Sequence, residues 1–246
     1  MRAELRSELL KQRSTRTTTS LLAAMLGLVL LAVLLHGLAL PADKLTSRSD
    51  QLTVLVGWGE VLGALFAGLL GAMSITGEIR HGTIRPTVLV TPRRGRVIAA
   101  KAAVGMLTGI VFGVVATGVA AGAGSIALAA RGLDIQLDGG DYALLLAGGA
   151  AAAALWAVIG LALGAVVRNQ VPVVVGILAW LLFVEERLVQ SVPDFGRLAP
   201  GALGRAISGQ DPGTLLAPAL GVLLLALYAA AAAVVGWLAT TRRDVV

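Results

Sequence analysis

A glutamate at position 60 interrupts the apolar run 54–75, and the pair Glu185-Glu186 closes a second apolar run, 171–184. Glu60 lies about six residues from the end of its run, or roughly 9 Å along a helix. A charge buried in hydrocarbon costs about 2.5–3.5 kcal/mol or more unless it faces protein or water. A carboxylate kept at that cost can hold a cation, accept hydrogen bonds from a ligand or carry a proton. It can equally pair with an interfacial group or reach up to the surface. Glu60 is therefore a candidate for lining a pathway, with the ion-pair reading beside it. For Glu185 and Glu186 a gating role stands beside an ordinary loop with local ion pairs. The chain has no cysteine, and its two histidines, His36 and His81, are too far apart in sequence for metal-ligand spacing. No catalytic residue and no metal site is assigned.

These positions matter only if the runs around them are helices in a bilayer. Hydrophobic residues make up 57% of the 246, charged residues only 14%, and mean hydropathy is +0.86. A water-soluble domain carries about 25% charged residues, so this chain has too little polar surface for water. A helix needs about 20 apolar residues to cross a membrane. Six segments are expected to do so: 20–40, 54–75, 97–129, 142–167, 171–190 and 215–239. The expected fold is an all-α membrane protein, with one six-span domain over 20–246. Ahead of it, 1–19 places Met1, Leu5 and Leu9 at i, i+4 spacing among charges, which reads as an amphipathic helix on the inner membrane surface. Rows of small residues, Gly105, Gly109 and Gly113 in the third span and Gly63, Ala67 and Gly71 in the second, suit close helix packing.

Orientation follows from lysine and arginine. With the N-terminus inside, inner segments hold 14 of them and outer segments 6. Asp43, Asp50, Asp134, Asp138 and Asp141 fall outside, and the even span number returns the C-terminus to the cytoplasm. The net charge of +6 then reflects topology, not nucleic-acid binding.

One inner segment, 75–101, is more than a basic tether. ITGEIRHGTIRPTVLVTPRRGRVIAAK carries Glu78, Arg80, Arg94 and Lys101 around a short apolar centre. Gly77 and Gly82 loosen the end of the second span. Thr83 is a good N-cap and Pro86 sits in the first turn after it, where a missing N–H costs little. Residues 84–90 can form about two helical turns, roughly 10 Å long, before Thr91-Pro92 stops them. Ile84, Val88 and Leu89 would then stand exposed beneath the membrane, ringed by arginines, as a docking knob.

The order Glu78, Arg80, Gly82-Thr83, short helix, Pro92, Arg94 and Lys101 resembles the loop of ATP-binding-cassette type-2 exporter permeases. The stretch from Trp180 with Glu185 or Glu186, Pro193, Pro200 and Ala206 is similar to that family as well. The resemblance implies a transmembrane subunit of a drug, lipid-like-molecule or peptide exporter in a bacterial cytoplasmic membrane. Its coupling helix, carried by Thr83, Ile84, Pro86 and Leu89, would seat in a dimer of separate ATPase subunits. It implies a second permease subunit, identical or paralogous, and a re-entrant segment over 191–214. ATP and Mg would belong to the partner, since the chain has no G-x-x-x-x-G-K-[ST] phosphate loop; no cofactor is expected in this chain.

Two other classes compete with this one. An ion-coupled secondary transporter would use Glu60 as its proton carrier, but no repeated halves are visible. An intramembrane protease would need more: Glu185-Glu186 resembles the E-E-x-x-x-R of glutamate proteases, yet the sixth position is Gln190, and Asp138-Gly-Gly-Asp141 reads as a turn.

Overall fold

The computed structural model describes residues 2–82, 94–211 and 213–242, and every regular element among them is a helix. Helix α1 is Arg2–Ser14 and α2 is Arg16–Ala39. A 3-10 turn, Ala42–Leu45, leads to α3, Arg48–Arg80, whose early turns Gln51–Val56 are π-helical. Helix α4 is Arg94–Ala130 and α5 is Gly139–Val167. Helix α6, residues 170–191, joins Gln170–Ala179 and Glu185–Ser191 through a second π-helical segment, Trp180–Val184. Two short helices follow, α7 (Pro193–Gly196) and α8 (Pro200–Ile207), and then α9, Pro218–Arg242. The expected docking residues Thr83, Ile84, Pro86, Leu89 and Pro92 lie outside the described residues.

Five helices, α2, α3, α4, α5 and α9, are long and apolar enough to cross a membrane. The sequence leads to an expectation of six, and the difference falls at α6. Its apolar stretch ends at Val184, where Glu185, Glu186 and Arg187 begin. That leaves about 15 residues, roughly 22 Å, against a hydrocarbon core of about 30 Å.

The helix ends follow local chemistry. Asp138 caps α5: its Oδ1 accepts the Asp141 N–H at 2.9 Å, and Asp141 Oδ2 accepts the Asp138 N–H at 3.1 Å. Asp141 also pairs with the guanidinium of Arg48, tying α5 to the start of α3. These two aspartates serve as a cap and a brace.

Helices α3 and α5 form the buried centre, with α2 and α9 largely exposed at the edges. Gly109 on α4 meets α5 so closely that a Cβ there would stand 2.7 Å from the Ala153 carbonyl oxygen and 2.9 Å from Ala154 Cα. Gly113 packs on Gly149, and Gly71 of the α3 row packs on Ala157, also backbone against backbone. Gly105 begins the α4 row but is looser, its nearest neighbour being Ala157 Cβ at 3.9 Å. The small-residue rows thus do what lipid-embedded helices need, letting backbones approach where apolar side chains gain nothing over lipid.

The early turns of α3 are held by one buried amide. Gln51 donates through Nε2 to the carbonyls of Leu45 and Asp134, both at 2.9 Å, while its Oε1 accepts the Gln136 N–H at 2.9 Å. Gln51→Leu would orphan those groups, each worth about 1–3 kcal/mol when buried unpaired. A drop of several degrees in the unfolding midpoint in detergent is expected; an unchanged midpoint would mean that water replaces the amide.

Candidate functional site: a charged clamp and a carboxylate cavity

Two polar assemblies stand at opposite ends of the bundle. At the end where α3 finishes and α4 begins, four charges alternate in sign. Lys101 Nζ lies 2.7 Å from Glu8 Oε2 and 2.7 Å from Glu78 Oε1. Lys11 Nζ lies 2.7 Å from Glu8 Oε1 and 2.8 Å from Glu78 Oε1. The Ser74 carbonyl also accepts from Lys101, at 3.4 Å. Burial pushes the Lys11 ammonium down, but its hydrogen bonds to Glu78 and Glu8 outweigh that and hold it above the ordinary lysine value. Lys101 is 5% exposed, so its charge is stable there only because two carboxylates flank it. A second tie, Thr108 Oγ1 donating to Gln12 Oε1 at 2.8 Å, fastens α1 along α4.

The clamp therefore joins three elements: α1, the last turns of α3 and the first turns of α4. The sequence pattern suggests Glu78 and Lys101 as contacts to a partner; the structure joins them to each other and to α1. Arg80 and His81, by contrast, are exposed, and Gly82 ends α3 with a left-handed φ of 68°. A cleft of about 610 Å³ opens beside them, lined by Thr15, Thr18, Met73 and Gln170 as well as the clamp.

The second assembly surrounds Glu60. Counting along α3 it stands about 27 Å from Glu78. A cavity of about 340 Å³ is lined by Glu60, Glu185, Glu186, Arg205 and Gln210 together with Trp58, His36 and apolar side chains of α3 and α6. The three glutamates singled out in the sequence thus share one space. Their surroundings differ. Glu186 pairs with Arg205 at 2.9 Å and accepts from Gln190 at 2.8 Å. Glu185 accepts the Ala202 N–H at the first turn of α8, where the helix dipole favours negative charge. Glu60, 1% exposed, keeps an Oε2 with no hydrogen-bond partner among the described residues.

A family model described as ABC-2 family transporter protein matches residues 4–186. The chain belongs to that family. Comparison with curated proteins returns no match. As an ABC-2 family membrane protein it is a permease component of an ABC transporter, multi-pass and membrane-embedded, and not itself an enzyme. Membership also implies an ABC ATPase as partner in general terms. The matched region covers both flanks of the 83–93 segment, all four clamp charges, and Glu60, Glu185 and Glu186.

Several site residues carry no local mark in the sequence. Glu8 and Lys11 read only as charges on an amphipathic helix; their partners lie 67 and 93 residues away. Arg205 and Gln210 lie beyond the matched region, and nothing in their local sequence marks them. Gly201 and Gly204 lie where Glu185 and Glu60 come against α8, an approach that their local sequence does not announce.

Proposed function

We propose that the chain is the transmembrane subunit of an ATP-driven exporter, working with a separate ATPase dimer that brings ATP and Mg. Six spans, with α6 as the fifth crossing and α1 lying along the cytoplasmic interface, suit the charge distribution and keep both termini inside. Two such subunits, identical or paralogous, would enclose the pathway in a bacterial cytoplasmic membrane. Thr83, Ile84, Pro86 and Leu89 would form the coupling helix that the ATPase grips, with Arg80 and Arg94 at its borders.

The observation that carries this reading is the clamp. Segment 83–93 has its two anchors, the end of α3 and the start of α4, fastened together by Glu78 and Lys101 and braced by α1. A push delivered between those anchors moves α3 and α4 as one body. Helix α3 carries Glu60 at its far end, so the same body reaches the cavity.

Arg80 is the better probe of coupling, because it is exposed and outside the clamp. Arg80→Glu is expected to leave membrane insertion and thermal unfolding unchanged, while ATP-dependent transport with the cognate ATPase falls about tenfold or more. Transport in the wild type should stop with vanadate and continue with a protonophore. The reverse pattern would replace this reading with the ion-coupled transporter in which Glu60 carries a proton, an alternative that Glu60's unpartnered oxygen keeps specific.

A further inference from the structure

We infer that the cavity between α3, α6 and α8 binds an organic cation with an N–H donor on an apolar body, such as an arylalkylammonium. The inference deepens the permease reading, since it names a substrate class for such a subunit.

Hydrogen-bond acceptors are left unsatisfied in this cavity. Three carboxylates meet in this space, and two have local partners: Arg205 for Glu186, and the start of α8 for Glu185. Glu60 has neither. Its Oε2, and the Oε2 of Glu185, are hydrogen-bond acceptors with no partner among the described residues, on side chains 1% and 2% exposed. A buried carboxylate oxygen that nothing satisfies costs several kcal/mol, so such groups occur where a proton or a ligand completes them. Gln210, 2% exposed, places its amide beside Glu60, with Nε2 left without a partner in hydrogen-bond geometry among the described residues. A ligand with one N–H cation and one neutral acceptor answers both needs.

The backbone is shaped around these acids. A Cβ on Gly204 would run into the carboxylate of Glu60, and one on Gly201 would stand 2.7 and 2.8 Å from the two oxygens of Glu185. Both acids also come after π-helical turns, Gln51–Val56 before Glu60 and Trp180–Val184 immediately before Glu185. Such turns are rare and tend to occur at functional positions, because the extra residue re-aims the side chains of the next turn.

The walls decide the kind of cation. The space, about 340 Å³, is of the size that takes a small organic molecule, and Val61, Leu181 and Leu182 make much of it apolar. Trp58 and His36, their ring centroids 5.1 Å apart, add aromatic side chains to the lining, which suits a cation better than a purely aliphatic wall. A hard metal ion would ask for about six oxygens in a tight shell, and such apolar walls cannot supply them. An anion would meet an excess of carboxylate.

The test uses the purified full-length chain in lipid nanodiscs and dansylcadaverine, a primary ammonium on an aromatic body. Binding is read by anisotropy and by energy transfer from tryptophan, with neutral dansylamide as the control. Saturable binding is expected, with dansylamide about tenfold or more weaker. Glu60→Gln should lose about tenfold or more in affinity, Glu60→Asp should keep most of it, and exposed Asp194→Asn should match the wild type. Equal binding of the charged and neutral probes would overturn the site. So would wild-type affinity in Glu60→Gln. Rescue by aspartate guards against misfolding as an explanation. The two levels separate cleanly: charge-selective binding without ATP-driven transport keeps the site and sinks the exporter reading. ATP-driven transport without charge-selective binding does the opposite.

Discussion

Lys101→Met should cost this protein about 3–5 kcal/mol of unfolding free energy, the price of leaving a buried charge without its partner. The lysine lies 2.7 Å from each of two glutamates and is 5% exposed, so methionine leaves Glu8 and Glu78 facing each other with only Lys11 between them. Lys11 is the outer member of the square, its side chain 40% exposed, and cannot replace the inner charge. Denaturant titration of the purified chain in mild detergent would measure the loss. A companion variant combining Lys101→Met with Glu8→Gln and Glu78→Gln should recover much of it, because removing both signs of a buried network is far gentler than removing one. A loss under about 1 kcal/mol for the single change would show the cluster to be solvated.

The second large effect is a reversal of sign within one helix row. In an ordinary helix, glycine to alanine gains about 0.8–1 kcal/mol of propensity. Gly105→Ala should behave that way or be neutral, because its added methyl meets Ala157 Cβ at an ordinary 3.9 Å. Gly109→Ala, four residues on, should instead lose about 1–3 kcal/mol, since the methyl would press on the Ala153 carbonyl oxygen at 2.7 Å. That neighbour is backbone inside α5 and cannot turn aside. Paired unfolding midpoints would decide the matter, and equal shifts in the two variants would contradict the close α4–α5 approach.

Composition and periodicity make the helical, membrane-embedded character readable, because about 20 apolar residues in a row admit few other structures. The small-residue row is readable for the same reason: spacing of four on a helix is a local property. Partnership is beyond the reach of local spacing. Nothing near Lys101 says that its counter-charge comes from Glu8, and nothing near Glu60 says that Gly204 will lie against it. These pairings depend on how helices distant in sequence are set side by side. The fifth expected span shows a different limit: a window of hydropathy extends 171–190 past Val184, whereas the charged turn after it cuts its apolar length short. Glu60, Glu185 and Glu186 each stand out as acids in the wrong solvent, but their meeting in one cavity is a tertiary fact.

The two π-helical turns carry a consequence for anyone counting along this chain. Each accommodates an additional residue without breaking the rod, so the helix on one side is rotated by about 100° relative to where an unbroken spiral would leave it. A protein one amino acid shorter at Gln51–Val56 or at Trp180–Val184 would still pass as continuous helix on a hydropathy plot. Yet the acid beyond the lost bulge would be swung round the cylinder, away from α8 and out of the cavity.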